Sequence, residues 1–507
     1  MPSQSSIVLL SLLASAAVHT PLTAAAETVL GAYIFARHGD RTAKSNPPVE
    51  LTELGYSQTF STGAYYRRRY VADDAPAHIR GISPHVVVPA QVAASAPSDA
   101  VLQKSAVAFF QGLYPPVGSG NATRATLRDG TVVEPPMDGY QLVFIDQPES
   151  RGGSSSSSGK NSENAAWLQG TSDCHNAKVS SDSYFESTPY RELLESTAAF
   201  YESLSPVLQD TFAPEDLSYR NAYLIFDALN VASIHNASFP LEGDDDDDDN
   251  NNTLAQLQLL ANTFEYNLAF NASDPIRAYA GSTLATDILT ALTALVDSRG
   301  TDGAKLSVQF GPYATFLAFF GLAKLPQASV DFTGIPDYAS TMVFELLSSA
   351  DGDDGVDPGF PPHPDDLRVR FLFHNGTLGG STASGRSDGD ADALVAYPLF
   401  GQSETVLPWP DFVRHMQDIG IPTDRREWCK MCGSTTGECA AIDAASDHDG
   451  GSISSPVAGL IGALVTLAVI LGVQALVLVA GGFRLVRKSS VARNVVEVEK
   501  NLSFSSR

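Results

Sequence analysis

The sequence is poor in positive charge. It has 32 Lys and Arg residues against 58 Asp and Glu residues, so its formal net charge is −26. A nucleic-acid partner is therefore not expected, because binding to a phosphate backbone needs clustered Lys and Arg. The acidity is typical of a well-solvated extracellular surface. Any site for an anionic ligand must then be basic locally, against the charge of the whole chain.

Cysteine is also scarce. A Cys-x-x-Cys pair can be redox-active or bind zinc, but a structural zinc site needs a second ligand pair at similar spacing. Only one further cysteine lies near this pair. We therefore predict structural disulfides formed in an oxidising compartment, with a pairing that the sequence leaves open. The four cysteines are Cys174, Cys429, Cys432 and Cys439.

Two stretches lack charge and suggest targeting segments. Residues 6–16 are apolar and precede small residues that end at Ala26, the order found in a signal peptide. A buried N-terminal helix is the alternative. Residues 457–483 carry no charge, and about 20 apolar residues are enough to cross a bilayer. We predict a signal peptide over 1–26 and a transmembrane helix over 457–483.

The flanks of the second apolar stretch predict its orientation. No Lys or Arg lies between Lys430 and Arg484, whereas the tail, 484–507, is basic. The positive-inside rule then predicts a cytoplasmic tail and an extracellular or lumenal ectodomain. The protein is expected in the secretory pathway, as a type I single-pass protein of the plasma membrane or an endomembrane. A removable lipid-anchor signal is disfavoured because the chain continues past the apolar stretch.

Glycosylation sequons lie on the side predicted to be outside. They begin at Asn121, Asn236, Asn251, Asn271 and Asn375.

The predicted ectodomain covers residues 27–440 and is followed by a juxtamembrane stalk over 441–456. Its length suits one large α/β domain with an insertion, or two domains. Two low-complexity stretches, 152–164 and 243–253, are interpreted as surface loops. The Asp run in the second could bind calcium weakly, but like-charge runs are more often disordered.

Periodicity indicates strands separated by helices, which favours an α/β fold with a mainly parallel sheet. Residues 339–347 could form a strand or a short helix. The other predicted strands cover 29–36, 306–310 and 368–373. Predicted helices cover 52–70, 99–111, 189–206, 253–270 and 280–296.

The chemistry is concentrated in residues 37–42, RHGDRT, which follow the first predicted strand. A neutral imidazole, here His38, can attack phosphorus and form a phosphohistidine. The guanidiniums of Arg37 and Arg41 can bind phosphoryl oxygens through forked hydrogen bonds. Gly39 allows a close backbone approach. We interpret the motif as a phosphate site; the alternative is a surface histidine between two arginines.

The motif resembles the N-terminal signature of the histidine acid phosphatase branch of the phosphoglycerate mutase-like superfamily. Further likeness lies in residues 51–56, 105–116, 337–347 and 397–401, and the segment EWCKMC resembles fungal, membrane-anchored members. The resemblance implies a three-layer α/β core with a helical insertion at about 100–280. It also implies a nucleophilic His38, phosphate binding by Arg37 and Arg41, and phosphomonoester hydrolysis without a metal or another cofactor.

The sequence departs from this family at its second catalytic motif. Members have a His-Asp pair that holds phosphate and protonates the leaving oxygen, but the matching residues here are Pro312 and Tyr313. Tyrosine, with an unperturbed pKa near 10, is a poor acid at neutral pH. A third family arginine is missing from residues 92–106, where Lys104 is the only cation. The pair at His448 and Asp449 lies in the predicted stalk and is interpreted as coincidence.

Two functions therefore remain open. The first is a phosphomonoesterase, weakened because loss of a general acid costs about 10²–10⁴ in rate. The second is an impaired pseudophosphatase that acts as a glycosylated surface protein and binds a phosphorylated or anionic ligand. Mutase activity is disfavoured because it needs cytosolic metabolites. Substitute acids suggested by sequence proximity are Asp337, Glu345 and the acidic loop 351–357.

Overall fold

The computed structural model describes residues 27–118, 124–147, 174–236, 249–301, 303–348, 360–361, 363–379, 394–435 and 439–442. The predicted signal peptide, transmembrane helix and cytoplasmic tail lie outside these ranges, as does most of the stalk. The chain divides into two compact units, Met1–Cys439 and Ala440–Arg507. The predicted domain boundaries stay predictions.

The central sheet has seven strands in the order β2-β5-β1-β6-β7-β8, and β9 also pairs with β7. Its middle strand, β1, runs parallel to β5 and antiparallel to β6, while β2 runs parallel to β5. The predicted parallel arrangement is thus found on one side of β1, and the pairs from β6 onward are antiparallel. A separate hairpin is formed by β3 and β4. The strands are β1 Thr28–Arg37, β2 Val92–Ser95, β3 Ala125–Thr126, β4 Val132–Val133, β5 Leu306–Gly311, β6 Thr341–Ser348, β7 Leu367–His374, β8 Val395–Ala396 and β9 Val406–Pro408.

Thirteen α-helices accompany these strands in the described part of the chain, besides short 3₁₀ and π turns. They are α1 Glu53–Tyr66, α2 Ala100–Leu113, α3 Pro136–Gly139, α4 His175–Asp182, α5 Thr188–Ser196, α6 Ala198–Ser203, α7 Ser205–Leu208, α8 Ala222–His235, α9 Asp249–Ala269, α10 Tyr279–Asp297, α11 Tyr313–Leu322, α12 Trp409–Ile419 and α13 Arg425–Cys432.

Helices cover both faces of β1. Successive side chains of a strand point to opposite faces, so Gly31 and Phe35 lie on the same one. On that face a Cβ on Gly31 would meet Leu295 of α10, and Phe35 packs 4.8 Å from Phe316 of α11. On the other face Phe310 of β5 packs against Phe109 of α2. The domain therefore has the three layers that the family resemblance implies.

The apolar run that predicts β1 is explained by its central position. Every residue from its second position to Arg37 is buried. A strand with neighbours on both edges and helices on both faces has no polar side, so it shows a continuous apolar run. Such burial fixes the end of β1, and with it the start of the motif.

All four cysteines are paired. Cys174 bonds to Cys432 and Cys429 bonds to Cys439. The first bond joins the start of α4 to the end of α13 across a sequence separation of 258 residues. The predicted use of cysteine in disulfides is confirmed, and the structure supplies the pairing.

One described stretch, Pro275–Asp297, is long and apolar enough to cross a membrane by length and composition. Its apolar window is 56% buried, and α10 within it packs against α11 and β1. A core helix passes the same test as a membrane helix, so this stretch is accounted for by the domain interior. The predicted membrane helix at 457–483 lies outside the described residues.

Candidate active site

The RHGDRT motif begins at the end of the central strand. Arg37 is the last residue of β1 and lies in register with Gly311, the last residue of β5. Ligand sites in α/β proteins often form at the carboxyl ends of parallel strands. The motif and the residues after β5 are therefore brought together, although about half of the chain separates them.

His38 is buried, with 1% of its surface exposed, and its Nδ1 lies 2.7 Å from the carbonyl oxygen of Gly39. A carbonyl accepts only, so this contact places the proton of the neutral imidazole on Nδ1. The lone pair is then on Nε2. This tautomer is the one that an attack by Nε2 on phosphorus requires.

Two glycines let the motif pass close to helix α1. A Cβ on Gly39 would lie 2.2 Å from the carbonyl oxygen of Gly55, and a Cβ on Gly55 would lie 2.0 Å from that of Asp40. The motif is also held by side chains. Ser105 on α2 accepts from the Gly39 amide at 3.3 Å, and Gln58 on α1 accepts from the Asp40 amide at 2.8 Å. Neither contact was predicted from the sequence.

Arg37 lines a small cavity, the chamber, together with Asp337 and Tyr338. Its Nη1 donates to the carbonyl oxygen of Pro336, and its guanidinium lies 5.3 Å from the ring centroid of Tyr313 and 4.7 Å from that of Tyr338. A cation is attracted to the negative face of an aromatic ring at such distances. Arg37 is thus positioned by backbone and aromatic contacts, and the carboxyl of Asp337 lies near enough to interact electrostatically without forming an ion pair.

Arg41 is differently engaged. It is fully buried and its two terminal nitrogens donate to the carboxylate of Asp227 at 2.9 and 3.1 Å. Tyr223 accepts a further bond at 2.9 Å. Burial alone would lower the pKa of this guanidinium, but nearby phenol groups and Asp227 outweigh burial and raise it well above its ordinary value. Arg41 is therefore a permanent cation whose charge a carboxylate already balances.

Pro312 and Tyr313, predicted to match the family's His-Asp pair, follow β5 directly. Pro312 precedes α11 directly after β5, and Tyr313 is the first residue of that helix. The Tyr313 ring packs 4.8 Å from the ring of Tyr223 and close to Arg37. The wall opposite the motif is therefore aromatic at this point.

A third cation, Lys44, was missed by the sequence reasoning. Its Nζ lies 5.1 Å from the ring centroid of Tyr223 and 5.6 Å from that of Tyr313. Its position just after the motif was the available signal. Lys104, the cation considered for the missing arginine, is exposed on α2, where its buried neighbour Ser105 contacts the motif instead.

A second pair missed from the sequence joins the motif to helix α8. His235 Nε2 lies 2.6 Å from Asp40 Oδ2, and the Thr52 hydroxyl donates to the same oxygen. Asp40 is fully buried. These contacts hold the motif loop against the helical insertion. No local sequence pattern could have shown them, because Asp40 and His235 are far apart in the chain.

The three candidate acids have different surroundings. Glu345 is fully buried in β6 and bonds to Arg69 at 2.8 Å and to Arg370 at 2.6 Å. It lies opposite Ala32 in the pairing of β6 with β1, well inside the sheet, so its charge serves the fold. Asp337 lies beside Arg37 in the same chamber lining. The loop 351–357 lies outside the described residues.

Some of the glycosylation candidates lie on described residues and others do not. Asn236 and Asn375 are exposed and Asn271 is half-buried. The positions of Asn121 and of the Asn251 side chain lie outside the description, as does the His448–Asp449 pair. Glycosylation stays a prediction.

Two cavities lie at this end of the sheet. The smaller, about 50 Å³, is lined by Arg37, Tyr223, Asp227, Gln258, Asp337 and Tyr338, among others. The larger, about 740 Å³, lies between α9 and the end of β7. Both are bordered by Gln258, Ile335 and Pro336. In the described part of the chain, no group of three or more His, Cys, Asp or Glu side chains could hold a metal ion.

A comparison with protein-family models decides the family. The model of the histidine phosphatase superfamily, branch 2, matches residues 46–374, which is more than half of the chain. The chain belongs to this superfamily branch. The matched span starts just after the RHGDRT motif, so the family assignment and the motif are separate observations. It confirms the branch inferred from the motif, while the fungal membrane-anchored type stays a prediction.

A solved structure with a TM-score of 0.50 shares the fold at low identity. The phytase from Citrobacter braakii has a TM-score of 0.50 and 14% identity, over 78% of this chain and 98% of that one. Hafnia alvei phytase in complex with tartrate has a TM-score of 0.48, 14% identity and the same coverage. No curated protein matches the chain in sequence. The likeness concerns the fold, and the activities named belong to those proteins.

Proposed function

We propose that this histidine phosphatase superfamily member hydrolyses phosphomonoesters through a phosphohistidine at His38. The attacking Nε2 forms a bond to phosphorus as the bond from phosphorus to the leaving oxygen breaks, and that oxygen takes up a proton. Water then attacks the phosphohistidine. Its oxygen bonds to phosphorus, the bond from phosphorus to Nε2 breaks, and phosphate and free His38 result.

One observation carries the proposal. The contact of 2.7 Å between His38 Nδ1 and the Gly39 carbonyl fixes the tautomer in which Nε2 is the nucleophile. Next to it, Arg37 lines the chamber and can bind phosphoryl oxygens. A nucleophile with a fixed tautomer beside a buried cation is the minimum that this two-step reaction needs.

The rate is expected to be low for the family. Pro312 cannot donate a proton, and Tyr313 is a weak acid. Tyr338, whose ring centroid lies 5.6 Å from that of His38, does not compensate, since burial raises its pKa well above the ordinary value. Loss of a positioned acid costs about 10²–10⁴ in rate. Substrates with good leaving groups should therefore react best.

Phosphoenzyme trapping tests the proposal. The purified full chain is mixed with a radiolabelled aryl phosphate and quenched, and acid-labile, base-stable label is measured on the protein. His38→Ala should lose both the label and the hydrolysis, whereas His363→Ala, an exposed histidine in a connecting segment, should keep both. Equal hydrolysis by wild type and His38→Ala would contradict the proposal.

A second candidate function is a pseudophosphatase that binds an anionic ligand and turns it over negligibly. It is favoured by the bonds between Arg41 and Asp227, which place a carboxylate on one phosphate-binding cation. The chamber beside Arg37 is also only about 50 Å³, room for a few water molecules. Stabilisation by vanadate without any phosphohistidine would favour this reading, because a ligand of the folded state raises the unfolding temperature.

The cellular setting is proposed from the sequence. The apolar stretches at 6–16 and 457–483, together with the sequons, support a type I glycoprotein of the secretory pathway. The two disulfides fit an oxidising compartment. Protease protection of sealed vesicles and a mass shift after deglycosylation test this. Full digestion of the tail only after the vesicles are opened would place the tail inside them and contradict the orientation.

A further inference from the structure

The loop between α11 and β6 is bonded directly to the catalytic motif. The amide of Ala339 donates to the carbonyl of His38 at 2.9 Å, and the amide of Arg37 donates to the carbonyl of Ser340 at 2.9 Å. Arg37 also donates through its side chain to Pro336. Three bonds therefore hold this loop, 336–340, in a fixed position relative to the nucleophile.

Asp337 is the acidic residue of this loop that lines the chamber, with its side chain exposed to solvent and its Oδ2 3.5 Å from Nδ2 of Asn375. It lines the chamber of about 50 Å³ together with Arg37 and Tyr338. Its amide donates to Asn375 Oδ1 at 2.8 Å, and Asn375 also accepts from the hydroxyl of Ser340 at 3.1 Å. The amide side chain at the end of β7 thus fixes both ends of the turn that presents Asp337.

The turn itself is built with backbone strain. Ala339 has φ of 62°, in the left-handed region that residues with a side chain seldom adopt. Such conformations are strained and persist where the surroundings impose them. Here the bond from Ala339 to His38 imposes it. The strained residue couples the position of Asp337 to that of the nucleophile.

We infer that Asp337 is the proton donor of this enzyme, in place of the acid lost at Tyr313. In the first step its carboxyl gives a proton to the leaving oxygen as Nε2 of His38 bonds to phosphorus. In the second step its carboxylate takes a proton from the attacking water. The assignment rests on the proposed phosphohistidine mechanism and names the residue that completes it.

The electrostatics of the loop agree with this role. Burial raises the pKa of Asp337 above its ordinary value, and Arg37 and His374 oppose part of the rise. The side chain also keeps solvent contact, which moderates the effect of burial. A raised pKa keeps more of the carboxyl protonated in mildly acidic solution, as a general acid requires.

The other candidates in the described residues fit less well. Glu345 is bound by Arg69 and Arg370 inside the sheet. His235 contacts Asp40 but does not line the chamber with Arg37. Asp227 lines the chamber and is already bonded to Arg41. Among the described residues, Asp337 is therefore the carboxyl group that lines the chamber and forms no ion pair.

A leaving-group comparison tests the inference. Single-turnover formation of phosphohistidine is measured with dinitrophenyl phosphate, whose leaving group needs no proton, and with glycerol phosphate, whose leaving group needs one. Asp337→Asn should slow the reaction with glycerol phosphate by about 10²–10⁴-fold and leave that with dinitrophenyl phosphate within about threefold. Asp337→Glu should recover part of the rate. Asp366→Asn, an exposed carboxyl at the far end of β7, is the control and should change neither.

The outcomes separate the two proposals. If wild type forms phosphohistidine and Asp337→Asn keeps its rate with glycerol phosphate, the Asp337 assignment falls and the proposed function stands. Equal losses with both substrates would also overturn it, since they indicate a structural defect. If wild type forms no phosphohistidine with either substrate, both proposals are overturned.

Discussion

Asp227 binds Arg41 through two parallel hydrogen bonds, of 2.9 and 3.1 Å, in a fully buried pair. A carboxylate presents two oxygens much as a phosphoryl group does, so it can occupy the same fork of donors. The motif therefore holds an internal anion at one of its two arginines. Phosphate binding at Arg41 stays a prediction, because a phosphoryl group can use these two donors only if the Asp227 carboxylate releases them.

Asp227→Asn tests this competition. The substitution removes the carboxylate charge next to a buried arginine, so the ligand-free protein should lose about 3–5 kcal/mol of stability. Vanadate should then stabilise the variant more than it stabilises wild type, because Arg41 can bind the added anion. Thermal unfolding with and without vanadate measures both effects, with Asp366→Asn as control. A smaller vanadate shift in Asp227→Asn would refute the competition.

Restoring the family pair should rescue an impaired acid. In an Asp337→Asn background, the double substitution Pro312→His and Tyr313→Asp places a carboxyl beside Arg37 and Lys44. We expect at least about tenfold recovery of the glycerol phosphate rate, a modest share of what a positioned acid contributes. Tyr313→Phe in the same background is the control, and its rate should not rise. Recovery with Tyr313→Phe would show that the loss of the phenol, and not the new acid, explains the gain.

The stability contributed by Asp337 should depend on pH. Its folded pKa is raised above the ordinary value of 3.8, so the folded state binds the proton more tightly than the unfolded state does. That stabilisation is complete below the unfolded pKa and is lost as pH rises through the folded pKa. Asp337→Asn should therefore gain in melting temperature relative to wild type as pH rises from about 3 to 7. A difference independent of pH would contradict the raised pKa.

Inositol hexakisphosphate should be a poor substrate. Among the described residues that line the two cavities, Arg37 is the only Arg or Lys, and Asp227, Asp331 and Asp337 add negative charge. Unpaired like charges cost several kcal/mol in a complex. We expect kcat/KM at least about tenfold below that of glycerol phosphate. The gap should narrow in high salt, which screens exposed charges, and a higher value for the hexakisphosphate would refute the prediction.

The long-range disulfide should matter more than the local one. Loop-closure entropy predicts about 5.5 kcal/mol for the bond between Cys174 and Cys432, but about 3 kcal/mol for that between Cys429 and Cys439, whose separation is 10 residues. Unfolding of each paired Cys→Ser variant by denaturant measures this. A larger loss from the Cys429 and Cys439 pair would point to local packing as the dominant effect.

Local patterns were enough to predict much of the core. Strands β1, β5 and β7 and helices α2, α9 and α10 agree with their predicted positions to within a few residues. Residues 189–206 were predicted as helical, but the structure divides them into α5, α6 and α7, with Pro206 near the start of the last. Residues 339–347 could not be assigned from periodicity alone. Pairing with both β1 and β7 makes them a strand.

The part of the candidate site that lies in the RHGDRT motif was predicted from the sequence, and the contacts of that motif with distant helices were not. Arg37, His38 and Arg41 are adjacent in sequence, so their residue types and spacing carried the information. Their partners, such as Asp227 and His235, lie on a helix about 190 residues away and belong to no local motif. Charge pairs between distant segments leave no periodic signal. Only the packed structure brings them to the motif.

The crossing of the Gly39 and Gly55 backbones has a consequence for engineering. A side chain at either glycine would collide with the backbone of the other segment. The motif loop that carries His38 and the start of α1 can therefore only be altered together. The proton-donating side rests on separate scaffolding, the loop before β6 and the first turn of α11. Laboratory evolution toward a new leaving group could therefore vary the loop before β6 and the first turn of α11 and leave the motif loop unchanged.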